Sequence, residues 1–398
     1  MPVASPLPIN PSVLTWAREE SGYPVDRVAD RLQVKATRVQ EWESGARPPT
    51  LKQVQDLARF LHRPLSVFFL PAPPQMPPLA AEYRRLPGVM PGQESPELRL
   101  AVRRMSTRRE SALNLLEELG EAVSAFSLSA KLNEAPEIVG ARLRDALKID
   151  VATQLGWPNE WRALNAWRAA AESLGVLVFQ FNKVALAEAR GISLLHFPLP
   201  VVGVNSKEQP EPKSYTIIHE VVHLMLAAGH EEVPALRERR DNAQWETVER
   251  FAESAASHAL VPEDALANVI RAERLPQNNW DIGDVRKLAK KFKLSPLAMA
   301  TRLRASGYFD WPHYQNWRRG WDAWVASLPP KSGGFATPVG QALTRNGRPY
   351  VQLVLEALGS NRITTVDAAR FLDLKAEHFE KLRGALQDRP GTPEGADD

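Results

Sequence analysis

Apolar positions recur at helical spacing over most of the chain and at strand spacing in one short stretch. Val25, Val28, Ala29 and Leu32 form a compact stripe, Gln33-Val34 reads as a short turn, and residues 35–43 begin a second helix with Val39 and Trp42 facing inward. Gly45 reads as its terminator, and Pro48-Pro49-Thr50 opens a further helix over 51–61. Residues 98–147 read as helical, rich in Arg and Glu. Trp161, Leu164, Trp167, Ala171 and Leu174 mark another helix, after which Gly175 opens a buried strand over 176–181. Residues 191–197 and 201–204 are two more strands, separated by proline turns. Helices then run to about residue 325.

Two proline-rich breaks divide this pattern. Five of the eight residues in 71–78 are proline, which gives a semi-rigid extended spacer. Pro329-Pro330-Lys331-Ser332-Gly333-Gly334 precedes a last helical module. The expected organisation is therefore an N-terminal helical domain over 1–70, a proline-rich linker and helical connector over 71–150, and a mixed domain over 151–326. A C-terminal helical module over 327–387 and a disordered tail over 388–398 complete it. The fold class is mainly α with a small β-sheet.

Composition narrows the chemistry. A length of 398 residues with 44% hydrophobic and 24% charged residues suits two or three globular domains. Cysteine is absent, which excludes disulfides, thiol nucleophiles and thiolate metal sites and points to a reducing cytosol. No apolar run reaches 18 residues and the start lacks the features of a signal peptide, so a cytoplasmic protein with no membrane span is expected. The net charge of +3 does not make the whole chain a polyanion binder; a nucleic-acid site must be local.

The N-terminal pattern supplies such a site. Two helices joined by a tight turn are the helix-turn-helix plan, whose second helix enters the major groove of double-stranded DNA. Its solvent-facing residues are Lys35, Thr37, Arg38, Gln40 and Glu41. Arg and Gln suit base edges, and Lys and Thr suit phosphates. Residues 1–80 hold nine Lys/Arg against seven Asp/Glu, a weak electrostatic excess. Ala17-Arg18-Glu19, Val28-Ala29, the run Val39-Gln40-Glu41-Trp42-Glu43-Ser44-Gly45 and Pro48-Pro49-Thr50 closely resemble the XRE-type helix-turn-helix of phage-repressor-like regulators. The resemblance implies a five-helix-type DNA-binding domain, with a homodimer if a palindromic operator is read.

His219-Glu220-Val221-Val222-His223 carries the strongest chemical signal. On a helix, positions i and i+4 share a face, so both imidazoles can grip one Zn²⁺ while Glu220 leans toward a bound water. A third ligand must come from elsewhere in a chain without cysteine. On a helix over 249–262, Glu249, Ala252 and Ala256 share one face, so small residues allow close approach and Glu249 can be presented. This block is similar to the ImmA/IrrE family of metallo-endopeptidases, over about residues 160–265. The resemblance implies a zincin-like α+β domain, with His219, His223 and Glu249 as zinc ligands and Glu220 as general base. Where the family usually carries Asn four residues after the ligand Glu, this chain has Glu253, which can support a ligand from behind or serve as the alternative ligand; Glu246 is a further alternative. His230, His258 and Tyr215 are oxyanion candidates by proximity alone.

Phe309, Trp311, Tyr314, Trp317, Trp321 and Trp324 recur at helical spacing, which reads as a packed aromatic helix more readily than as a base-stacking surface. Residues 286–303 and the end module, with a turn at Asp373-Leu374, each have a helix-turn-helix outline. Two functions follow from the resemblances. One is a cytosolic prokaryotic regulator whose zinc endopeptidase cleaves a repressor or other regulatory protein in a stress, prophage or toxin–antitoxin setting. The other is a non-proteolytic repressor or antitoxin whose peptidase fold is a sensor or a scaffold for a cognate toxin.

Overall fold

The computed structural model describes residues 9–75, 94–231, 242–328 and 336–387. The chain divides into two compact units, with the boundary between Arg104 and Met105.

In the first unit, helices α1 (Pro11–Glu20), α2 (Val25–Leu32), α3 (Ala36–Glu43) and α4 (Leu51–Phe60) are followed by a 3-10 turn, Leu65–Phe69. The fifth helix expected of the domain is thus this short turn. Local chemistry sets the ends: Asn10 caps α1 ahead of Pro11, and Thr50 with Gln53 forms a reciprocal capping box on α4. Leu14, Ala17, Val28, Val39, Trp42, Val54, Leu57 and Phe68 close the core. A two-pronged ion pair joins α1 to α3, with Arg18 Nε 2.6 Å from Glu43 Oε1 and Nη2 2.9 Å from Oε2. The hydrogen bond to Glu43 holds the Arg18 guanidinium above its ordinary pKa.

Helix α5 (Pro96–Leu119) spans the boundary between the units. The continuous helix expected over 98–147 is interrupted here: Gly120 takes a φ of 72°, residues 121–135 are irregular, and helix α6 (Pro136–Leu147) restarts the pattern. The glycine ends α5 because a left-handed residue satisfies the last carbonyls at no Cβ cost. Within the irregular stretch the Ala130 amide donates to Met225 O at 2.9 Å.

In the second unit α6, α7 (Val151–Gly156) and α8 (Glu160–Glu172) lead into a three-stranded sheet of β1 (Leu177–Phe181), β2 (Gly191–Leu194) and β3 (Val201–Asn205). The order is β1-β3-β2, with β1 parallel to β3 (Leu177 opposite Val201) and β2 antiparallel to it (Gly191 opposite Val204). Every strand residue is buried, as a sheet covered on both faces requires. Val178, Val202 and Val204 join the main core with α8 and α9 (Pro210–Ala228). Phe179 points the other way, edge-on to Tyr350 with ring centroids 5.5 Å apart.

Helix α10 (Asn242–Leu260) lies between α6 and α9. Its close approach rests on small residues: Ala252, Ala255, Ala256 and Ala259 are fully buried. A methyl at Gly140 of α6 would lie 2.6 Å from Ala255 O and 2.7 Å from His258 Cβ. The buried Arg144 and Gln154 side chains satisfy the last α10 carbonyls, with Arg144 Nη1 donating to Ala259 O (2.8 Å) and Gln154 Nε2 to Leu260 O (3.0 Å). Helices α11 (Glu263–Ala272), α12 (Ile282–Phe292), α13 (Pro296–Ala305) and α14 (Trp311–Ala326) complete this core.

The end module consists of α15 (Pro338–Asn346), α16 (Arg348–Gly359), α17 (Thr365–Leu372), a 3-10 turn (Ala376–His378) and α18 (Phe379–Gln387). It lies in the same unit as the sheet. Arg168 of α8 secures it, pairing with Glu172 at 3.0 Å while donating to Thr344 O (2.7 Å) and to Val178 O. The proline-rich residues 76–78, the break at 329–334 and the tail at 388–398 lie outside the described residues. No described helix is long and apolar enough to cross a membrane.

Candidate metal centre and nucleic-acid interface

Pro210 occupies the first turn of α9, and the helix is apolar and buried nearly all round. That setting fixes the direction of its few polar side chains. His219 and His223, one turn apart, bring their Nε2 atoms within 3.1 Å of each other. Helix α10 carries Glu249 to the same place, with Oε2 3.6 Å from His219 Nε2 and Oε1 3.7 Å from His223 Nε2. All three ligand atoms lie within 4.8 Å of one another, and His223 is fully buried. A tetrahedral ion with bonds of about 2.0–2.2 Å separates neighbouring donors by about 3.3–3.6 Å, so these spacings suit one ion. Two imidazoles and a carboxylate are also the donor set of catalytic zinc sites, which keep a fourth position open. Glu253 and Glu246 fall outside this group.

Glu220, the residue after His219 on α9, has 2% of its surface exposed. Its carboxylate is received by strand β2: Ser193 Oγ, itself fully buried, donates to Glu220 Oε2. Gly191, two residues earlier on the same face of β2, leaves the room that the carboxyl fills; a methyl there would lie 2.9 Å from Glu220 Cδ and 2.6 Å from Thr216 Cγ2. One turn before His219, the Tyr215 ring stacks on the imidazole with centroids 6.0 Å apart and planes at 22°. The Tyr215 hydroxyl donates to the backbone oxygen of Glu253 at 3.3 Å, and burial pushes its pKa up, reinforced by the Glu253 charge. Sequence reasoning singled out neither Gly191 nor Ser193. Their signal was small: two compact residues in the otherwise apolar run Gly191-Ile192-Ser193-Leu194-Leu195.

The oxyanion candidates separate. His258 lies nine positions beyond Glu249 on α10, with Nδ1 2.8 Å from Ser254 O. His230 follows the end of α9 at a φ of 62°. Only Tyr215 of the three stacks on a member of the trio.

In the first unit, α2 ends at Gln33, which takes a left-handed φ of 55°, and Lys35 caps α3 in an extended conformation. Thr37, Gln40 and Lys35 are exposed. Arg38 and Glu41 are half-buried and pair with each other at 3.3 Å across one turn, so they are less open to solvent than the helical pattern suggests. The aromatic residues of α14 are largely taken up within the protein. Trp317 is buried, as is Phe309 just ahead of the helix, Trp317 stacks on Trp321, and Arg286 lies 4.5 Å over Trp324. Trp311, 54% exposed, stacks on Tyr314 beneath the Arg304 guanidinium.

Comparison with known families finds a match to each of two segments. Residues 14–68 match the helix-turn-helix model, and residues 171–304 match a peptidase-family model, the IrrE N-terminal-like domain. The second match takes in β1–β3 and α9 to α13 and so contains the whole histidine–glutamate group. A search of curated proteins finds no match. The N-terminal helices are thus similar to an XRE-type helix-turn-helix domain, and the segment that follows is similar to a peptidase-family domain of the IrrE/ImmA type.

Proposed function

We propose that this chain is a DNA-binding regulator whose second unit is a zinc endopeptidase acting on a repressor or other regulatory protein. One observation carries the reading: two imidazole nitrogens and the Glu249 carboxylate converge at donor spacing, and the helix that supplies both imidazoles also carries the buried Glu220. His219, His223 and Glu249 would hold the ion, whose contribution is to acidify water and polarise a peptide carbonyl. Glu220 takes the proton of the attacking water on its carboxylate and passes it to the leaving amine as the C–N bond breaks and the new C–O bond forms. Ser193 keeps that carboxylate turned in one direction, and Tyr215 backs the His219 ring. In the first unit, Lys35, Thr37, Arg38, Gln40 and Glu41 form the edge offered to duplex DNA, as a homodimer when half-sites lie about 34 Å apart. A DNA target and a chain without cysteine are both consistent with a reducing, cytoplasmic setting.

The test is zinc per chain in protein purified without added metal. About one zinc in the wild type, sharply reduced in Glu249→Ala and retained in Glu253→Ala, is the expected result. No zinc even after reconstitution overturns the peptidase reading. Glu220→Gln then separates chemistry from scaffolding. With zinc and DNA binding intact, loss of regulation supports proteolysis, and unchanged regulation supports a scaffold that engages a toxin or repressor without cutting it.

A further inference from the structure

The corner between α2 and α3 recurs near the other end of the chain. Helices α2 and α17 are both eight residues long. Each ends on a left-handed residue, Gln33 at φ 55°, ψ 43° and Asp373 at φ 50°, ψ 47°. The next amide then reaches back to the same depth: Val34 N donates to Ala29 O at 3.0 Å, and Leu374 N to Ala369 O at 3.1 Å. An extended lysine follows in both, Lys35 and Lys375, and its carbonyl accepts the amide three residues on, from Arg38 at 2.8 Å and from His378 at 3.1 Å. In this register Ala29, Leu32, Lys35 and Ala36 fall on Ala369, Leu372, Lys375 and Ala376. The buried residues Val28, Val39 and Trp42 fall on the buried Ala368, Phe379 and Leu382.

The corner alone does not make a DNA reader. Lys148 and Lys293 also end helices in the left-handed conformation, at α6–α7 and α12–α13. There the following helix is either only six residues long (α7) or sunk in the core, with Ala298, Met299, Ala300, Arg302 and Leu303 of α13 buried. Helix α18 differs because only Phe379 and Leu382 face inward, while Glu380, Lys381, Arg383 and Gly384 are exposed. Lys375 has 83% of its side chain exposed. Residues 361–387 hold five Lys/Arg against four Asp/Glu, and residues 25–45 hold four against four, so the end module is no more acidic than the N-terminal corner. The nearby acids hold the cations only loosely, with Lys375–Glu377 at 3.7 Å and Arg383–Glu380 at 3.8 Å, and such exposed pairs are readily exchanged for phosphate. The corner is also held rigid. The buried Asn346 donates to Leu372 O at 2.9 Å, and Arg348 caps the end of α18 through Ala385 O and Leu386 O.

We propose that α17 and α18 form a second duplex-DNA docking element, with Lys375, Lys381 and Arg383 set toward phosphates. The analogy rests on the DNA-binding reading of the N-terminal helices, and parallel variants in the two modules let the two readings fail separately. The test uses the full chain and a labelled 20-base-pair duplex of random sequence, with affinity followed against salt concentration. Lys375→Ala/Lys381→Ala/Arg383→Ala is expected to weaken binding and to flatten the slope of log K against log salt by about 2–3, at about 0.9 per phosphate contact. Glu380→Lys is expected to steepen it by about 0.9. All four positions are solvent-facing, and a matching melting temperature checks the fold. Lys35→Ala/Arg38→Ala/Gln40→Ala is the parallel probe of the first unit. Wild-type slopes for both C-terminal variants, with a flattened slope for the N-terminal one, overturn the proposal and leave the α18 face to a protein partner. A flattened slope for the C-terminal triple variant supports it, whatever the N-terminal variant does.

Discussion

Gly191→Ala isolates the seat of Glu220 without touching a metal ligand. The methyl would lie 2.9 Å from Glu220 Cδ and 2.6 Å from Thr216 Cγ2, where carbon atoms rest at about 3.5–4.0 Å. Gly191 is not among the glycines at positive φ, so the penalty is steric rather than a backbone one. Overpacking of this kind costs about 1–3 kcal/mol. At about 2–4 °C per kcal/mol, the second unit should melt about 2–12 °C lower.

A double-mutant cycle assigns that cost. If the methyl collides with the Glu220 carboxyl, its penalty should shrink by about 1–2 kcal/mol in a Glu220→Ala background, because the space is then vacant. Thr216→Ser, which deletes the other colliding atom, gives the companion cycle. Thermal or urea unfolding of the four proteins is enough, and no substrate is required. Zinc content should stay at the wild-type value throughout, since His219, His223 and Glu249 are unchanged. A Gly191→Ala penalty that is the same with and without the Glu220 carboxyl would refute the placement of that side chain against β2.

Two further outcomes follow from the same packing. Gly140→Ala should separate α6 from α10, because the methyl meets Ala255 O at 2.6 Å and His258 Cβ at 2.7 Å; a fall in melting temperature is expected, and an unchanged one contradicts the close helix contact. The second concerns pH. Burial, aided by the Arg302 charge, holds the His258 pKa below its ordinary value, against the raising influence of Ser254 O, Glu137 and Glu263. The unfolded chain therefore binds the extra proton first. Stability from this group is complete above the unfolded value of about 6.5 and falls as pH drops through and below it. The urea midpoint should decline between pH 7.5 and 5.5 in the wild type and less in His258→Gln; equal declines would show that His258 does not contribute.

Much of this architecture was legible because it rests on local signals. The left-handed corner at Gln33, the capping box at Thr50 and the apolar stripe of α2 each carry their own turn or cap chemistry, so the first unit could be drawn from its pattern. The histidine pair was legible for the same reason, since an i, i+4 spacing on a helix is a geometry in itself. Glu249 needed more: its placement depends on Ala252 and Ala256 letting α10 close on α9, a packing relation that the sequence only hints at. The seat of Glu220 was invisible, because Gly191 and Ser193 lie 29 and 27 positions away and meet it only after β2 has joined the sheet. The helix expected across 98–147 failed at Gly120, where a left-handed residue ends α5 and residues 121–135 run irregularly before α6 begins. Arg38 and Glu41 looked open to solvent because a pattern of faces does not register a pair that closes on itself along one turn.

The arrangement around Glu220 also bears on whether the second unit cuts or merely holds. A structural zinc is normally closed by four protein ligands, whereas three leave a position for water, and a scaffold has no physical need for a further ionisable group on the same helix. A carboxylate with 2% exposure costs desolvation unless something in the protein offsets it. Here β2 supplies both what such a group requires and the space it requires: a buried hydroxyl from Ser193 donating to Oε2, and a missing Cβ at Gly191 where the carboxyl lies. An alanine at 191 and a valine at 193 would pack a plain strand better. The strand instead makes room for one carboxylate on the residue that follows His219, a group of the kind that proton transfer to and from water needs. That shape favours the peptidase reading over the scaffold, and the Gly191 cycle tests the shape without waiting for a substrate.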